Sequence, residues 1–283
     1  MELSPKQLID DVKGLVSLPE ACVRINEMVD DPNSSADDIG KVLSQDPSLT
    51  VRILKIANSP FYGLSNQVET VARAVAIMGT KQLRDMVLAT SAARTFDGIP
   101  NNLISMKEFW FHNIACGIAS RVLAENHLKG KVDSLFVAGL LHDIGQLVMF
   151  NKLPDQSREV LVQTLEASSS EEMYHAEKKI LGFTHCDVGV ELAREWHLPP
   201  LYQECIAFHH SPSEAKEFPR EVALVHIAQA TACMVEIDSI EEDELNDVHE
   251  EAWKLTGLTR SDIPPQIDLI RSQISEVMNT FMN

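Results

Sequence analysis

The sequence predicts an all-α protein, and three observations lead to that prediction. Apolar residues recur at spacings of three and four along most of the 283 residues, as in helices with one buried face. Residues that commonly begin or end helices stand at the borders of these stretches. Alternating apolar and polar runs typical of strands are not evident. We therefore predict a helical N-terminal half that packs on a second helical bundle.

In the first third, the helix signals are local and specific. Asp46 followed by Pro47 predicts a helix start, because aspartate caps a helix and proline suits its first position. This helix should end at Asn58-Ser59-Pro60, before a turn at Phe61-Tyr62-Gly63. Its buried face would comprise Leu49, Ile53, Ile56 and Ala57.

Two further helices are predicted before a subdomain boundary. One runs from Thr70 to Gly79, since glycine commonly follows a helix end, and Thr80 should cap the next. The stretch from Phe96 to Asn102, which includes one glycine and one proline, is the best candidate for the boundary. We expect this short connection to hold the two halves together without free reorientation.

The second part begins near Ser105 and is also predicted to be helical. One of its helices should contain His142-Asp143 and end at Gly145. Thr184 with Asp187 three residues later predicts a capping box, which places His185 in a first helical turn and makes Asp187 a cap rather than a ligand. A further helix should open at Pro199-Pro200 and close at His209-His210.

The composition argues against several classes of partner and location. The formal net charge of −18 would repel nucleic acid and acidic membranes, so neither is expected as a partner. No apolar run approaches the roughly 20 residues of a membrane span, and the N-terminus does not have the pattern of a signal peptide. The five cysteines show no CxxC spacing, so we expect reduced thiols in a cytoplasmic protein.

Much of the negative charge lies in residues 236–251, which contain nine acidic residues and no lysine or arginine. A solvated loop or helix face is the favoured interpretation of such a run, ahead of a metal site or a partner site.

Six side chains could bind a metal ion. A histidine nitrogen beside a carboxylate oxygen, as in His142-Asp143, suits divalent ions such as Zn, Fe or Mn. The other candidates are His112, His185, His209 and His210, all on helices or at helix ends, where metal sites of helical bundles are built. The alternative is that these histidines only pack between helices.

Several spaced blocks of the sequence resemble the bacterial HDOD domain, over about residues 10–230. HDOD proteins are all-helical relatives of the HD-type metal phosphohydrolases, which include the HD-GYP cyclic di-GMP phosphodiesterases, and most are regarded as signalling modules without demonstrated catalysis. The blocks are Ser17-Leu18-Pro19, Gln45-Asp46-Pro47-Ser48-Leu49-Thr50, Leu54-Lys55-Ile56-Ala57-Asn58-Ser59, Phe61-Tyr62-Gly63 and Ala74-Val75-Ala76-Ile77-Met78-Gly79.

The resemblance implies roles for the candidate ligands and also shows departures from the pattern. His112, His142 and Asp143 match three of the four HD ligands, but Gln229 stands where the fourth, an aspartate, belongs. His185, His209 and His210 match the ligands that HD-GYP proteins add for a second metal. Gln146 replaces the lysine that helps HD-GYP proteins hold phosphate, and the glycine-tyrosine-proline loop is absent.

These matches and departures favour a signalling or regulatory protein that is not catalytic and has a vestigial or retained metal site. The alternative is a metal-dependent phosphohydrolase acting on nucleotides or cyclic dinucleotides. We expect protein partners, bound through the N-terminal half; the resemblance also allows a nucleotide ligand but implies no organic cofactor. The predicted segments are a helical part at 10–100, an HD-like part at 101–235, and an acidic segment with C-terminal helices at 236–283.

Overall fold

The structure, a computed structural model, describes residues 4–59, 67–96, 102–125, 132–164 and 170–282. These ranges contain α-helices and short 3-10 turns and no strand, which confirms the all-α prediction. The α-helices are α1 (Pro5–Val12), α2 (Glu20–Asp30), α3 (Ala36–Ser44), α4 (Pro47–Ala57), α5 (Val71–Met78), α6 (Thr80–Thr95), α7 (Met106–Glu125), α8 (Val132–Leu141), α9 (Ile144–Lys152), α10 (Pro154–Gln163), α11 (Ser170–Leu181), α12 (His185–Glu195), α13 (Pro200–Phe208), α14 (Pro219–Glu236), α15 (Glu250–Thr256) and α16 (Ile267–Met282).

The chain forms two compact units, each assembled from two separate stretches of sequence. Residues 1–15 and 98–272 make the first, here called the cluster unit, and residues 16–97 and 273–283 make the second, the small unit. The division into segments 10–100, 101–235 and 236–283 stays a prediction, as does the packing of one half on the other. Most of the expected connection, residues 97–101, lies outside the described residues, as does the expected turn at Phe61-Tyr62-Gly63.

In the small unit, the cap of α4 at Asp46 is as predicted, and Thr70, predicted as the start of the next helix, is instead the cap of α5. Asp46 Oδ1 accepts a hydrogen bond from the backbone N–H of Leu49, and Thr70 caps α5 in the same way. The prediction that Thr80 caps the next helix is wrong, because Thr80 is already the first residue of α6. Gly79, with φ of +87°, ends α5 and precedes α6 directly, which leaves no separate capping residue.

The cluster unit differs from the prediction around His142-Asp143. The first helix, α8, ends at Leu141, and Gly145 is the second residue of α9 rather than a helix end. Gly145 is needed there because α9 packs against α12 at very short range. A Cβ atom at this position would overlap the carbonyl oxygen of His185 and lie 2.6 Å from the backbone nitrogen of Gly189. His142 and Asp143 lie at the break between α8 and α9, and both side chains are buried in the interior of the cluster unit.

Close packing also joins α8 to α7. A Cβ atom on Gly139 would lie 2.7 Å from Ser120 Oγ and 2.8 Å from the carbonyl oxygen of Cys116. Only glycine allows the two helix backbones to approach this closely, so α7 and the end of α8 are held in fixed relation.

The starts of α12 and α13 are as predicted. Asp187 Oδ2 accepts from the backbone N–H of Thr184, and Thr184 Oγ1 accepts from that of Asp187, which confirms the capping box and the role of Asp187 as a cap. His185 is consequently the first residue of α12. Proline at the first position begins α13, which ends just before His209-His210.

One stretch, Asp133–Lys152, is long and apolar enough by composition to cross a membrane, contrary to the expectation that no such run exists. It is interrupted between α8 and α9, and 89% of it is buried inside the protein. These properties are those of a core element of a helical protein.

We predict that Gly145→Ala destabilises the protein by about 1–3 kcal/mol, the usual cost of overpacking a close contact. The added methyl group cannot be accommodated without moving α9 away from α12. Urea denaturation followed by circular dichroism measures the change in the free energy of unfolding.

The matched control is Gly40→Ala in α3, where the nearest atom to an added Cβ, Val71 Cγ1, is 3.8 Å away. Alanine is the better helix former, so this variant should be unchanged or more stable by up to about 1 kcal/mol. Equal stability of Gly145→Ala and the parent protein would contradict the close packing described here.

Candidate metal centre

The six predicted ligands come from four places in the fold of the cluster unit and converge on one largely buried cluster. His112 lies on α7, His142 and Asp143 lie between α8 and α9, His185 begins α12, and His209 and His210 follow α13. We call these six side chains the histidine cluster.

Asp143 lies at the centre of the histidine cluster, and its two oxygens face different histidines. Oδ1 is 3.2 Å from His185 Nε2 and 3.5 Å from His209 Nε2. Oδ2 is 3.4 Å from His142 Nε2 and 4.0 Å from His112 Nε2. Such an arrangement fits a carboxylate shared between two metal positions, with one pair of histidines on each side.

His210 completes the Oδ1 side of the histidine cluster. Its ring lies 5.2 Å from that of His185 and 4.4 Å from that of His209, centroid to centroid. Tyr174 stacks on His210 at 4.8 Å and holds the ring in place. Gln229, on α14, has its Nε2 atom 3.4 Å from His210 Nε2, so the neutral amide belongs to the same cluster.

All five imidazole rings are oriented in the same way. Each Nδ1 lies within hydrogen-bond distance of an oxygen outside the histidine cluster, so Nδ1 carries a hydrogen and Nε2 is the nitrogen left for a metal ion once it is deprotonated. The partners of Nδ1 are Glu236 Oε1 for His112 (3.0 Å), the carbonyl of Gly139 for His142 (2.6 Å), Glu177 Oε2 for His185 (2.7 Å), the carbonyl of Ile206 for His209 (3.0 Å) and Glu171 Oε1 for His210 (2.8 Å).

This arrangement fits a metal ion. Metal-binding histidines in proteins typically donate their second ring N–H to a carboxylate or a carbonyl, which orients the ring and makes the ligand more basic. His142 Nε2 and Asp143 Oδ1 are buried and have no hydrogen-bond partner among the described residues. Since buried polar atoms are rarely left unpaired, both atoms need a ligand that this part of the chain does not supply. Cations on the two sides of Asp143, one beside His142 and one beside Oδ1, would satisfy both.

The two rings on the Oδ2 side differ in protonation. Burial would lower the pKa of His112, but Glu236 raises it above its ordinary value. Burial lowers the pKa of His142 to about 3, so the ring is neutral near pH 7. Burial would raise the pKa of the Asp143 carboxyl, but His142 and His185 hold it well below its ordinary value. The cluster therefore contains a neutral imidazole next to an ionised carboxylate, the forms that bind metal.

On the Oδ1 side two of the three rings retain their protons more strongly. Burial would lower the pKa of His185, but Cys186, Glu177 and Asp143 hold it well above its ordinary value. Burial would lower the pKa of His209, but the nearby Cys186 and Asp143 raise it to about 9. Burial lowers the pKa of His210 well below its ordinary value. An ion that binds between these rings would have to displace a proton from His209.

Three carboxylates that support the rings were not among the sequence-predicted residues. Glu171 and Glu177 lie on α11, and Glu236 is the last residue of α14. Burial raises the pKa of Glu171 to about 7, whereas Glu177 Oε2 accepts from both the backbone N–H and Nδ1 of His185. Glu236 belongs to the acidic run that favoured a solvated segment, and no local pattern distinguished it from its acidic neighbours.

Two other side chains lie near the histidine cluster, and Cys186 Sγ is within 4.8 Å of ligand nitrogens of His185, His209 and His210. Cys186 Sγ is 3.8 Å from His209 Nε2 and 3.9 Å from His209 Nδ1, so it faces the ring and not the Nε2 lone pair. His226 uses both ring nitrogens, Nδ1 towards the carbonyl of His209 and Nε2 towards the backbone N–H of His249.

Comparison with known proteins agrees with this architecture. The family model of the HDOD domain matches residues 15–212. An uncharacterised protein of Treponema pallidum is 24% identical over 228 residues, which are 79% of this chain and 43% of the relative. The chain thus spans less than half of that relative.

Two solved structures have the same fold over nearly their whole length. A protein from Shewanella amazonensis, named as a candidate phosphohydrolase, is 24% identical, with 97% of each chain covered and a TM-score of 0.76. An HDOD domain protein of unknown function from Geobacter sulfurreducens is 23% identical, with 98% of this chain and 97% of the other covered and a TM-score of 0.74. At 24% and 23% identity, these two matches show only that the fold is shared. Because the family model covers more than half of the sequence, the chain belongs to the HDOD domain family.

Proposed function

We propose that this HDOD protein is a regulatory module that binds one or two divalent transition-metal ions and does not turn over phosphodiesters. The observation that supports metal binding best is the common orientation of five imidazoles, four of them buried, each with Nδ1 bonded to an outer oxygen. The Nε2 atoms of four of these rings lie within 4.0 Å of Asp143. Zinc, iron or manganese would suit a set of imidazole nitrogens and one carboxylate.

The two sides of Asp143 define the residues that would hold each ion. His112 and His142 would serve the Oδ2 side, and His185, His209 and His210 the Oδ1 side. When bound in a phosphohydrolase, such ions supply Lewis-acid polarisation and an acidified water molecule.

The surroundings of the histidine cluster favour binding over hydrolysis. Glu177 and Glu236, together with Glu171 when it is ionised, add negative charge around Asp143, so they would offset most of the charge of two bound dications before a phosphate bound. Gln146 occupies the position of the phosphate-binding lysine, and it is neutral and buried. Stabilising the extra charge of a phosphoryl transition state requires cationic groups or strong hydrogen-bond donors. The neutral Gln146 and the surrounding carboxylates both act against this requirement.

We predict that untagged protein purified at neutral pH contains transition metal, up to about two ions per chain as in two-metal sites. Asp143→Ala should lose most of it, because the only carboxylate among the six ligands is removed. Elemental analysis by mass spectrometry measures the content.

The control is His175→Ala, which removes an exposed histidine of α11 outside the histidine cluster and should leave the metal content unchanged. Protein that stays metal-free after growth in metal-supplemented medium, or full loading of Asp143→Ala, would contradict the proposal.

We predict that hydrolysis of cyclic di-GMP and of simple nucleotides is absent or very slow in the metal-loaded protein. The reasons are the neutral Gln229 and Gln146 and the excess of carboxylates around the rings. Product formation is followed by chromatography, with His142→Ala as the comparison. A turnover on the order of 1 per second, typical of competent enzymes, that disappears in His142→Ala would refute this expectation.

We predict that Gln229→Asp tightens metal binding by about tenfold or more, a gain of about 1.4 kcal/mol. Aspartate would add a charged oxygen donor beside His210, where the present amide is neutral. Competition with a chromophoric chelator measures the dissociation constant. Gln229→Asn, of the same size as aspartate but uncharged, should give no such gain, and equal affinity of both variants would discredit the assignment of this position.

The competing proposal is an active metal-dependent phosphohydrolase acting on a nucleotide or cyclic dinucleotide. The complete set of five histidines and Asp143 in one cluster favours it, and the hydrolysis assay above separates the two proposals. In the regulatory proposal, the module would act in the cytoplasm by binding protein partners through its N-terminal half. A nucleotide ligand, rather than a substrate, is compatible with the regulatory proposal.

A further inference from the structure

Residues 236–251, here called the acidic segment, are connected to the histidine cluster at both ends. At the first end, Glu236 Oε1 accepts a hydrogen bond from His112 Nδ1 at 3.0 Å. At the other end, the backbone N–H of His249 donates to His226 Nε2 at 3.1 Å. His226 Nδ1 in turn donates to the carbonyl oxygen of His209 at 2.6 Å. Each connection therefore leads to a predicted metal ligand, and the two ligands lie on opposite sides of Asp143.

Between these ends the acidic segment has few buried contacts. Leu245 and Val248 are buried, whereas Ile237 and Ile240 are 61% and 57% exposed. The like charges of nine acidic residues repel one another and oppose compact packing. Ion pairs of Asp238 with Arg271, of Glu250 with Arg260 and of Glu251 with Lys254 offset part of this charge. The order of the segment should therefore depend on these surface pairs and on its two attached ends.

Metal binding would strengthen these attachments. An ion on Nε2 of an imidazole withdraws electron density from the ring and makes the Nδ1–H a stronger donor, so the bond from His112 to Glu236 gains strength. Fixing the ring of His209 would also fix the backbone to which His226 is bonded. By linkage, whatever strengthens the attachment of the segment on metal binding must also tighten the metal.

We propose that the acidic segment is a metal-responsive element, ordered when the histidine cluster is loaded and loosened when it is empty, with Glu236 as the positioning residue that couples the two. This inference rests on the proposed metal binding. It gives the regulatory module a defined output, since the segment presents two exposed isoleucines and most of its charge at the surface.

Hydrogen–deuterium exchange, read by mass spectrometry on peptides covering residues 237–249, tests the coupling directly. We expect zinc loading of the wild-type chain to slow backbone exchange in these peptides by about tenfold or more. Glu236→Ala should abolish the zinc-dependent slowing and weaken zinc binding by about 10–100-fold, the usual effect of losing the hydrogen-bond partner of a ligand. Glu236→Gln, which keeps an acceptor oxygen without the charge, should fall between the two.

The matched control is Glu242→Ala, which removes an exposed carboxylate of the same segment and should keep both the zinc affinity and the slowing. A purely structural role for Glu236 would change exchange equally with and without zinc, so the difference between the two states is the decisive quantity.

Zinc content is measured on the same samples. Stoichiometric zinc with identical exchange of the wild-type segment in both states would overturn this inference alone. A wild-type chain that binds no zinc or other transition metal would overturn the proposed metal binding and this inference with it. If Glu236→Ala does not fold, the wild-type comparison and Glu236→Gln still decide the question.

Discussion

The structure of the cluster unit depends on the burial of one carboxylate. Asp143 exposes only 4% of its surface, and a buried charge is costly unless cationic or hydrogen-bonding groups surround it. The fold supplies the imidazole of the adjacent His142 and imidazoles from three other places, and each of these rings is hydrogen-bonded to an oxygen behind it. Helix ends serve this purpose well, because the chain changes direction there and side chains can point into a common space.

Two levels of packing bring these elements together. Glycine contacts set the spacing of the helix backbones, with Gly139 between α8 and α7 and Gly145 between α9 and α12. The carboxylates on α11 and at the end of α14 then fix the ring orientations of His185, His210 and His112. The ring nitrogens that face Asp143 are therefore positioned by residues that do not themselves face it.

In our proposal, the same carboxylates favour metal binding and disfavour phosphoryl transfer. They compensate the charge of bound cations and make their ligands more basic, which favours binding. They also leave less net positive charge for an anionic substrate. A module of this kind would suit regulation, in which occupancy of the cluster is transmitted to a surface. The acidic segment, connected at Glu236 and at His249, would change its order with the metal occupancy of the cluster.

By itself, the sequence determined the features that arise from neighbours along the chain. Helical periodicity predicted the fold class, and the caps at Asp46 and at Thr184 with Asp187 were correct because capping hydrogen bonds span three residues. Residue types and positions predicted the six candidate ligands, and the resemblance to the HDOD family, confirmed by the match over residues 15–212, assigned roles to them.

Only the tertiary structure decided what depends on contacts between distant residues. The sequence predicts Gly145 as a helix end. Its role inside α9 instead depends on close contact with the backbone of α12, which begins forty residues later in the sequence. Glu177 and Glu236 had no distinguishing local pattern, since their partners His185 and His112 lie on other helices. Local sequence encodes hydrogen bonds within a helical turn, whereas the direction of a buried side chain is set by the elements packed around it.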